Sequence, residues 1–520
     1  MAYEVKGGVT DMAAFWRETR DHYGQPGERS HDGPLDYGVI ENVTHSLRVN
    51  GTAIPTYATR AGYQIHAFAK IEIERAQNIR LDAEVTLLAA DATGCVVLPE
   101  KKGVTASLAG NAAKAALNGL GDFTFVFDDK PDYALTVYVA QKAAFSVPEG
   151  YETEYFEPGV YTGAQTDLTR ERTAYYFKKG NYEITRIHIP SDSIVYFESG
   201  AFFKVYEAGA GDSYAALESR DQKNVKIQGS ALFDFSACAG GDDKTKAVFK
   251  FVNVTDIEVS DFISVNANNW TVNFWYCRNV SASKLMLFGY RTYSDGVMLS
   301  DCAGGVVTDC FVRTGDDAME VKSYYHSVPP GVTTDNDALF KNNTVWTDKG
   351  AAYGVIHEAN RSISNVRFID NSVGFSQPTW IEHLGSCVIR MGTNKDAVFS
   401  NIYFENTEIY KTHNTLASIF NRARNADEGG RINNIYFKDI RAKHVVTGAR
   451  LHPYAISILI TLSGAADGEN CYVGDTYFDG IRFGSIDVTP DNYRGVSRIQ
   501  IAAPASPFYR ENRIKINTRI

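Results

Sequence analysis

Asn253-Val-Thr-Asp-Ile-Glu-Val259, Asn279-Val-Ser-Ala-Ser-Lys-Leu285 and Gly305-Val-Val-Thr-Asp-Cys310 are versions of one phrase. Each opens on a residue that tolerates left-handed backbone angles and continues as a short apolar strand. The phrase begins earlier, at Asn224-Val-Lys-Ile-Gln-Gly229, and returns at Asn365-Val-Arg-Phe-Ile-Asp370, Asn401-Ile-Tyr-Phe-Glu-Asn406 and Asn434-Ile-Tyr-Phe-Lys-Asp439. The starts at Asn224, Asn253, Asn279 and Gly305 are nearly evenly spaced, and the step from Gly305 to Asn365 is longer because a repeat goes unmatched. A recurring strand with irregular insertions is the pattern of a solenoid, and short β-rich repeats predict a parallel β-helix. The Asn residues then take coil corners, where stacked side chains can hydrogen-bond in ladders.

The solenoid texture begins near residue 148, with Tyr155-Phe-Glu-Pro-Gly-Val-Tyr161 and Ile187-His-Ile-Pro-Ser-Asp-Ser-Ile-Val-Tyr-Phe197. Residues 36–147 read differently. Ser46–Asn50, Ala67–Glu74, Glu84–Leu88, Phe123–Phe127 and Ala134–Val139 alternate with period two between turn residues, which predicts a small antiparallel β-sandwich. Arg48-Val-Asn-Gly-Thr-Ala-Ile-Pro55 reads as a hairpin. Residues 1–35 are polar and read as an arm, with a short helix starting near Thr10. A chain of 520 residues exceeds what one core supports. The expected architecture is all-β: a sandwich over 36–147 and a right-handed parallel β-helix over 148–520, capped by the basic tail Arg510–Ile520. Insertions near 323–338 and 408–432 would project from one face and shape a cleft.

The net charge of −10 and the lack of a basic run argue against nucleic acid and anionic membranes as partners. No apolar stretch reaches the length of a membrane span. The seven Cys are scattered without a C-x-x-C pair, so neither a zinc site nor a disulfide framework is signalled. Cys277 and Cys302, close to one coil apart, are expected to stack in the core. The first residues show no charged-then-apolar signal segment, which leaves a cytoplasmic location and secretion with the leader removed both open. A homo-oligomer is equally open.

The chemistry concentrates in Tyr293-Ser-Asp-Gly296 and, a short interval later, in Thr314-Gly-Asp-Asp-Ala-Met-Glu-Val-Lys-Ser323. If one coil spans that interval, Asp295 stacks against Asp316 and Asp317 on the neighbouring coil, with strands roughly 4.8 Å apart. Three acids so placed cannot all ionise. One keeps its proton while the others stay charged, the division of labour that glycosidic cleavage needs. Adjacent Asp residues on a strand face opposite ways, so a bulge or turn at Gly315 is expected to aim both into the cleft.

Asn269-Trp-Thr-Val-Asn-Phe-Trp-Tyr-Cys-Arg-Asn-Val280, followed by Ser294-Asp-Gly296 and the Gly-Asp-Asp segment, resembles the active-site coils of β-helical glycoside hydrolases. These are family 28 (polygalacturonases and relatives) and family 49 (dextranase and isopullulanase). The resemblance implies that Asp316 is the general acid, that Asp295 and Asp317 activate a water on the opposite face, and that the anomeric centre is inverted. It implies an oligo- or polysaccharide substrate and no cofactor or metal. This chain departs from the family 28 pattern in three places. Tyr293 stands where an Asn precedes the first Asp, and Tyr353 of Ala352-Tyr-Gly354 stands where the family has a His. Ile389-Arg-Met391 keeps the Arg of the carboxylate-holding motif as Arg390 but lacks its Lys. A neutral sugar, or an acidic one held by Arg390 alone, is therefore favoured over galacturonate.

Around the acids, Tyr293, Lys322, Tyr324, His357, Glu358, His383 and Arg390 are the candidate substrate contacts. Trp270, Trp275, Tyr290, Tyr325 and Trp380 are further rings that could stack on sugars, with Trp275 assigned to the core. Two other readings stay open. A β-helical lyase or fructan transferase would use a base beside a carboxylate, and a carbohydrate-binding β-helix would have no chemistry.

Overall fold

The computed structural model describes residues 39–42, 44–61, 64–162, 167–207, 215–238, 248–291, 293–323, 336–348, 350–376, 387–393, 397–412, 415–421, 430–446, 460–464, 472–492, 498–499 and 514–516. The expected arm at 1–35 lies outside them, as do 324–335 of the first insertion and most of the tail. The second insertion is smaller than expected: 408–412, 415–421 and 431–432 belong to the solenoid strands Val398–Thr412, Thr415–Asn421 and Arg431–Val445, and 413–414 and 422–429 lie outside the described residues. The strand Ile514–Ile516 pairs in parallel with Thr476–Asp479.

From Glu152 onward the strands stack in parallel ladders that form a right-handed parallel β-helix. Each central coil contributes three strands. The coil around the acids runs through Ala303–Thr308, Phe311–Thr314 and Met319–Lys322, and the next through Asn336–Lys341, Thr344–Thr347 and Tyr353–Ala359. Period-two alternation sorts the side chains. Val272, Phe274, Val297, Leu299, Met319, Val321, Tyr353 and Val355 point inward and are buried in one continuous core. Asn273, Met298, Glu320 and Lys322 take the other face. Burial of each large aliphatic side chain contributes about 1.5–3 kcal/mol, so a core running the length of the solenoid dominates its stability. Identical rings stack at the strand spacing: Phe404 on Phe437 at 5.2 Å and Phe437 on Phe478 at 4.8 Å inside, Tyr403 on Tyr436 at 4.6 Å outside.

The corners explain the repeated phrase. Following the strand register, Asn224, Asp256, Asn279, Gly304, Asp337, Asn365, Asn401 and Asn434 fall in one column. All eight have positive φ, between 46° and 76°. Asx side chains are favoured there because they bond locally where other L-residues are strained. The phrase at Asn253 is set three residues early. Asp256 is the residue in that column, while Asn253 belongs to another corner, where its side-chain amide donates to Asp221. The unmatched interval between Gly305 and Asn365 holds a full coil whose corner is Asp337.

Residues 40–141 form two packed sheets, one of six strands and one of five. Leu47, Val85, Phe125 and Val137 fill the space between them. The expected hairpin is present: His45–Val49 and Thr52–Ile54 pair across Asn50 and Gly51, both at positive φ. One pairing departs from the antiparallel pattern, since Ala134–Gln141 runs parallel to Gln64–Ile73. This sandwich packs on solenoid strands that lie both before and after the acids in the chain. Tyr57, Phe68 and Tyr138 share a cluster with Phe288, Phe311, Trp346 and Phe375. Across that contact Arg313, two residues before Gly315, bonds His66 at 2.7 Å and pairs with Asp348 at 3.4 Å.

Candidate active site

Gly315, Asp316 and Asp317 form a bend between Phe311–Thr314 and Met319–Lys322. The close approach of neighbouring backbone leaves room there only for glycine. A Cβ on Gly315 would lie 2.6 Å from the Tyr290 carbonyl oxygen, and one on Gly350 would lie 2.3 Å from the Asp317 nitrogen. Three hydrogen bonds fix the bend. Gly315 N–H donates to Ser294 Oγ at 3.2 Å, Thr314 Oγ1 donates to the Asp316 carbonyl at 3.0 Å, and Ala351 N–H donates to Asp317 Oδ1 at 2.7 Å. A bend rather than a bulge thus brings both acids to one side.

One turn of the solenoid carries the chain from Val297 to its register partner Met319, and Gly296 N–H donates to the Asp317 carbonyl. Asp295 therefore lies directly over Asp317, and Asp316 is the neighbour that the bend swings in. One carboxylate oxygen from each of Asp295, Asp317 and Glu320 lies within 4.8 Å of the other two. Two protein cations sit against these oxygens. Lys322 Nζ is 3.1 Å from Asp295 Oδ2, 2.9 Å from Glu320 Oε1, and 4.4 Å from the centre of the Trp270 ring. Arg390 Nη2 donates to Asp317 Oδ2. Arg390 reaches the acid from two coils away, because the register position between it and Glu320 is Gly354, which has no side chain in the way.

Asp316 accepts the Asp317 N–H on Oδ1 at 3.0 Å and the Tyr293 N–H on Oδ2 at 3.3 Å. Burial, then the charges of Asp295 and Asp317, push its pKa up to about 8 against the opposing pull of Arg390 and Lys322. Burial likewise raises Glu320 well above the usual carboxylate range, Lys322 opposes this, and Asp295 and Asp317 add to it. Burial works against the charge of Arg390, but the Asp317 carboxylate outweighs it and holds the guanidinium protonated. Such an arrangement can keep one acid neutral as a proton donor beside carboxylates that stay charged.

Glu320, which sequence reasoning passed over, is fully buried at 0 % exposure and belongs to the same cluster. Its only signal in the chain is its place two residues before Lys322, which puts both side chains on one face. Lys322, expected as a substrate contact, is 2 % exposed and turned onto the acids. Tyr293 is half-buried, has φ of 64°, and packs against an outer cluster of Trp270, Trp275, Tyr276 and Met298. Trp275 lies in that cluster and not in the main core. Tyr290 is buried, with the Arg60 guanidinium 5.5 Å from its ring centre. Tyr353 points into the core and donates to the Ser372 carbonyl at 3.0 Å. His357 and Glu358 lie on Tyr353–Ala359 where its pairing slips between Val355 and Ala359, and their side chains lie outside the described residues. Tyr324, Tyr325, Trp380 and His383 lie outside them altogether.

Residues 180–379, which contain all three Asp and Glu320, match the family described as "Glycosyl hydrolases family 28". That match supports glycosidic hydrolysis as the reaction class. Dex49A from Penicillium minioluteum superposes with a TM-score of 0.66 over 94 % of this chain and 96 % of its own, at 14 % identity, which establishes the shared fold. The exopolygalacturonase from Thermotoga maritima gives 0.45 over 66 % of this chain and 84 % of its own, at 15 % identity. No curated protein sequence matches the chain.

Proposed function

We propose that this chain hydrolyses a glycosidic bond of a neutral oligo- or polysaccharide with inversion at the anomeric carbon. The observation that carries the reading is the unequal state of stacked acids. Asp316 holds its proton near neutrality, whereas Asp295 and Asp317 are each paired with a separate cation. In this reading Asp316 gives its proton to the leaving oxygen as the bond to the anomeric carbon breaks. A water held by Asp295 and Asp317 attacks from the opposite face and passes one proton to Asp295, while its oxygen bonds the anomeric carbon.

The same pairs support a neutral substrate. Among the described residues Arg390, the candidate to grip a uronate carboxylate, is taken up by Asp317, and Lys322 by Asp295 and Glu320. Trp270 and Trp275 are buried beside Lys322, and Tyr293, half-buried over them, is the ring of that patch that keeps exposed surface for a neutral pyranose face. The family 28 match and the Dex49A fold agree with this chemistry. The test is a panel of neutral α-linked glucans alongside polygalacturonate, read by reducing-end release, with the first-formed product anomer read by NMR. Release from a neutral glucan with an inverted anomer supports the reading. Products with an unsaturated sugar end, or cleavage of polygalacturonate alone, contradict it.

A further inference from the structure

Among the described residues the cluster holds four buried carboxyl groups and two cations. Only two carboxylates can be balanced in a site so far removed from water, because an uncompensated buried charge is strongly disfavoured. Asp295 and Asp317 take the cations in pairs that the mechanism uses. Asp316 keeps a proton as the acid. Glu320 remains. It has 0 % exposure, its Oε1 is 2.9 Å from the same Lys322 nitrogen that lies 3.1 Å from Asp295, and one of its oxygens lies within 4.8 Å of both Asp295 and Asp317.

The geometry points to Glu320 as a further positioning residue, a neutral carboxylic acid that shares the Lys322 ammonium with Asp295 and donates a hydrogen bond to it, holding Asp295 as the ionised base. This rests on the hydrolytic reading above. Among the described residues the charged and titratable groups that face Glu320 are Asp295 from the preceding coil, Asp317 and Lys322 from its own, and Arg390 from two coils on. Its direct register neighbours, Met298 and Gly354, carry no charge. A neutral donor beside Asp295 favours the ionised form of that base, so its removal raises the pKa of Asp295. An ionised Glu320 would do the opposite: its removal would take away a like charge and lower that pKa.

The direction of one pH limb therefore decides. In Glu320→Ala, kcat on the glucan identified by the panel falls by about 10–100-fold, KM stays near the wild-type value, and the acid limb of kcat moves to higher pH. Glu320→Gln, which keeps a donor and cannot ionise, recovers most of that loss and restores the limb. A limb that moves to lower pH in Glu320→Ala, or a Gln variant as impaired as the Ala variant, overturns the proposal. A second readout does not need activity. Infrared spectra of the full chain at neutral pH contain the carbonyl stretch of protonated carboxyl groups, and part of that band disappears in Glu320→Gln. An unchanged band overturns the assignment. A wild-type chain that cleaves no glycan would sink the hydrolytic reading instead, and the infrared result would still decide whether Glu320 holds its proton.

Discussion

Asp295 and Asp317 occupy the same position on successive coils, yet each is tied to a different cation: Asp295 to Lys322 on the next coil, Asp317 to Arg390 two coils further on. Stacking would force two like charges together at the strand spacing. Each of the two has its own ion pair, which leaves Asp316, the acid of the three without one among the described residues, to hold the proton.

Replacing that acid should cost rate and not structure. Asp316→Asn is expected to lower kcat by about 10²–10⁴-fold, with an unchanged far-ultraviolet circular dichroism spectrum. Wild-type kcat should fall as pH rises through about 8, where Asp316 loses its proton. A variant within tenfold of wild type would remove Asp316 from the mechanism.

The same carboxyl makes stability depend on pH. Its pKa is raised from 3.8 to about 8, so between those values the folded chain binds a proton that the unfolded chain has lost. Its stabilising contribution is full below the lower value and disappears as pH rises towards the upper one. Raising pH from 5 to 9 should therefore lower the melting temperature of wild type more than that of Asp316→Asn. Equal slopes would show that Asp316 titrates normally.

Lys322 is expected to be structural as well as functional. Lys322→Met leaves the Asp295 carboxylate buried without its cation, a loss of about 3–5 kcal/mol. The double variant Lys322→Met with Asp295→Asn should recover part of that stability. Chemical denaturation reads both, and additive effects would show that the two residues are not coupled.

Gly350 guards the bend from outside. Gly350→Ala would press a methyl group against the Asp317 nitrogen and the Asp316 carbonyl carbon. A cost of about 1–3 kcal/mol in denaturant unfolding is expected, with a drop in kcat larger than any rise in KM. Wild-type kinetics would mean that the bend tolerates displacement.

Much of this was readable in the chain, and the exceptions have physical causes. Asn279, Asn365, Asn401 and Asn434 mark true corners because left-handed backbone selects Asx. Asp337 fills the same corner and escaped notice, since Asp without the following Val or Ile does not match the phrase. In the sandwich, Tyr57–Ala61 and Cys95–Leu98 carry no polar alternation because both lie in the sheet that packs on the solenoid. The three acids stood out by their spacing and by the Trp-bearing coil before them; the interval set both Asp316 and Asp317 against Asp295, and the register gives that place to Asp317. Glu320 was hidden because a Glu at an outward strand position looks solvated. Its burial comes from neighbours far apart in sequence. The partner of Arg390 was hidden for the same reason, since Asp317 lies two coils away from it.

A glycosyl fluoride, whose leaving group needs no proton, separates the roles of the three acids when set beside the natural glucan. Asp316→Asn should hydrolyse the fluoride at close to the wild-type rate while remaining impaired on the glucan, and Asp295→Asn should be impaired on both. An Asp316→Asn variant equally inactive on the two substrates would refute the assignment of Asp316 as proton donor.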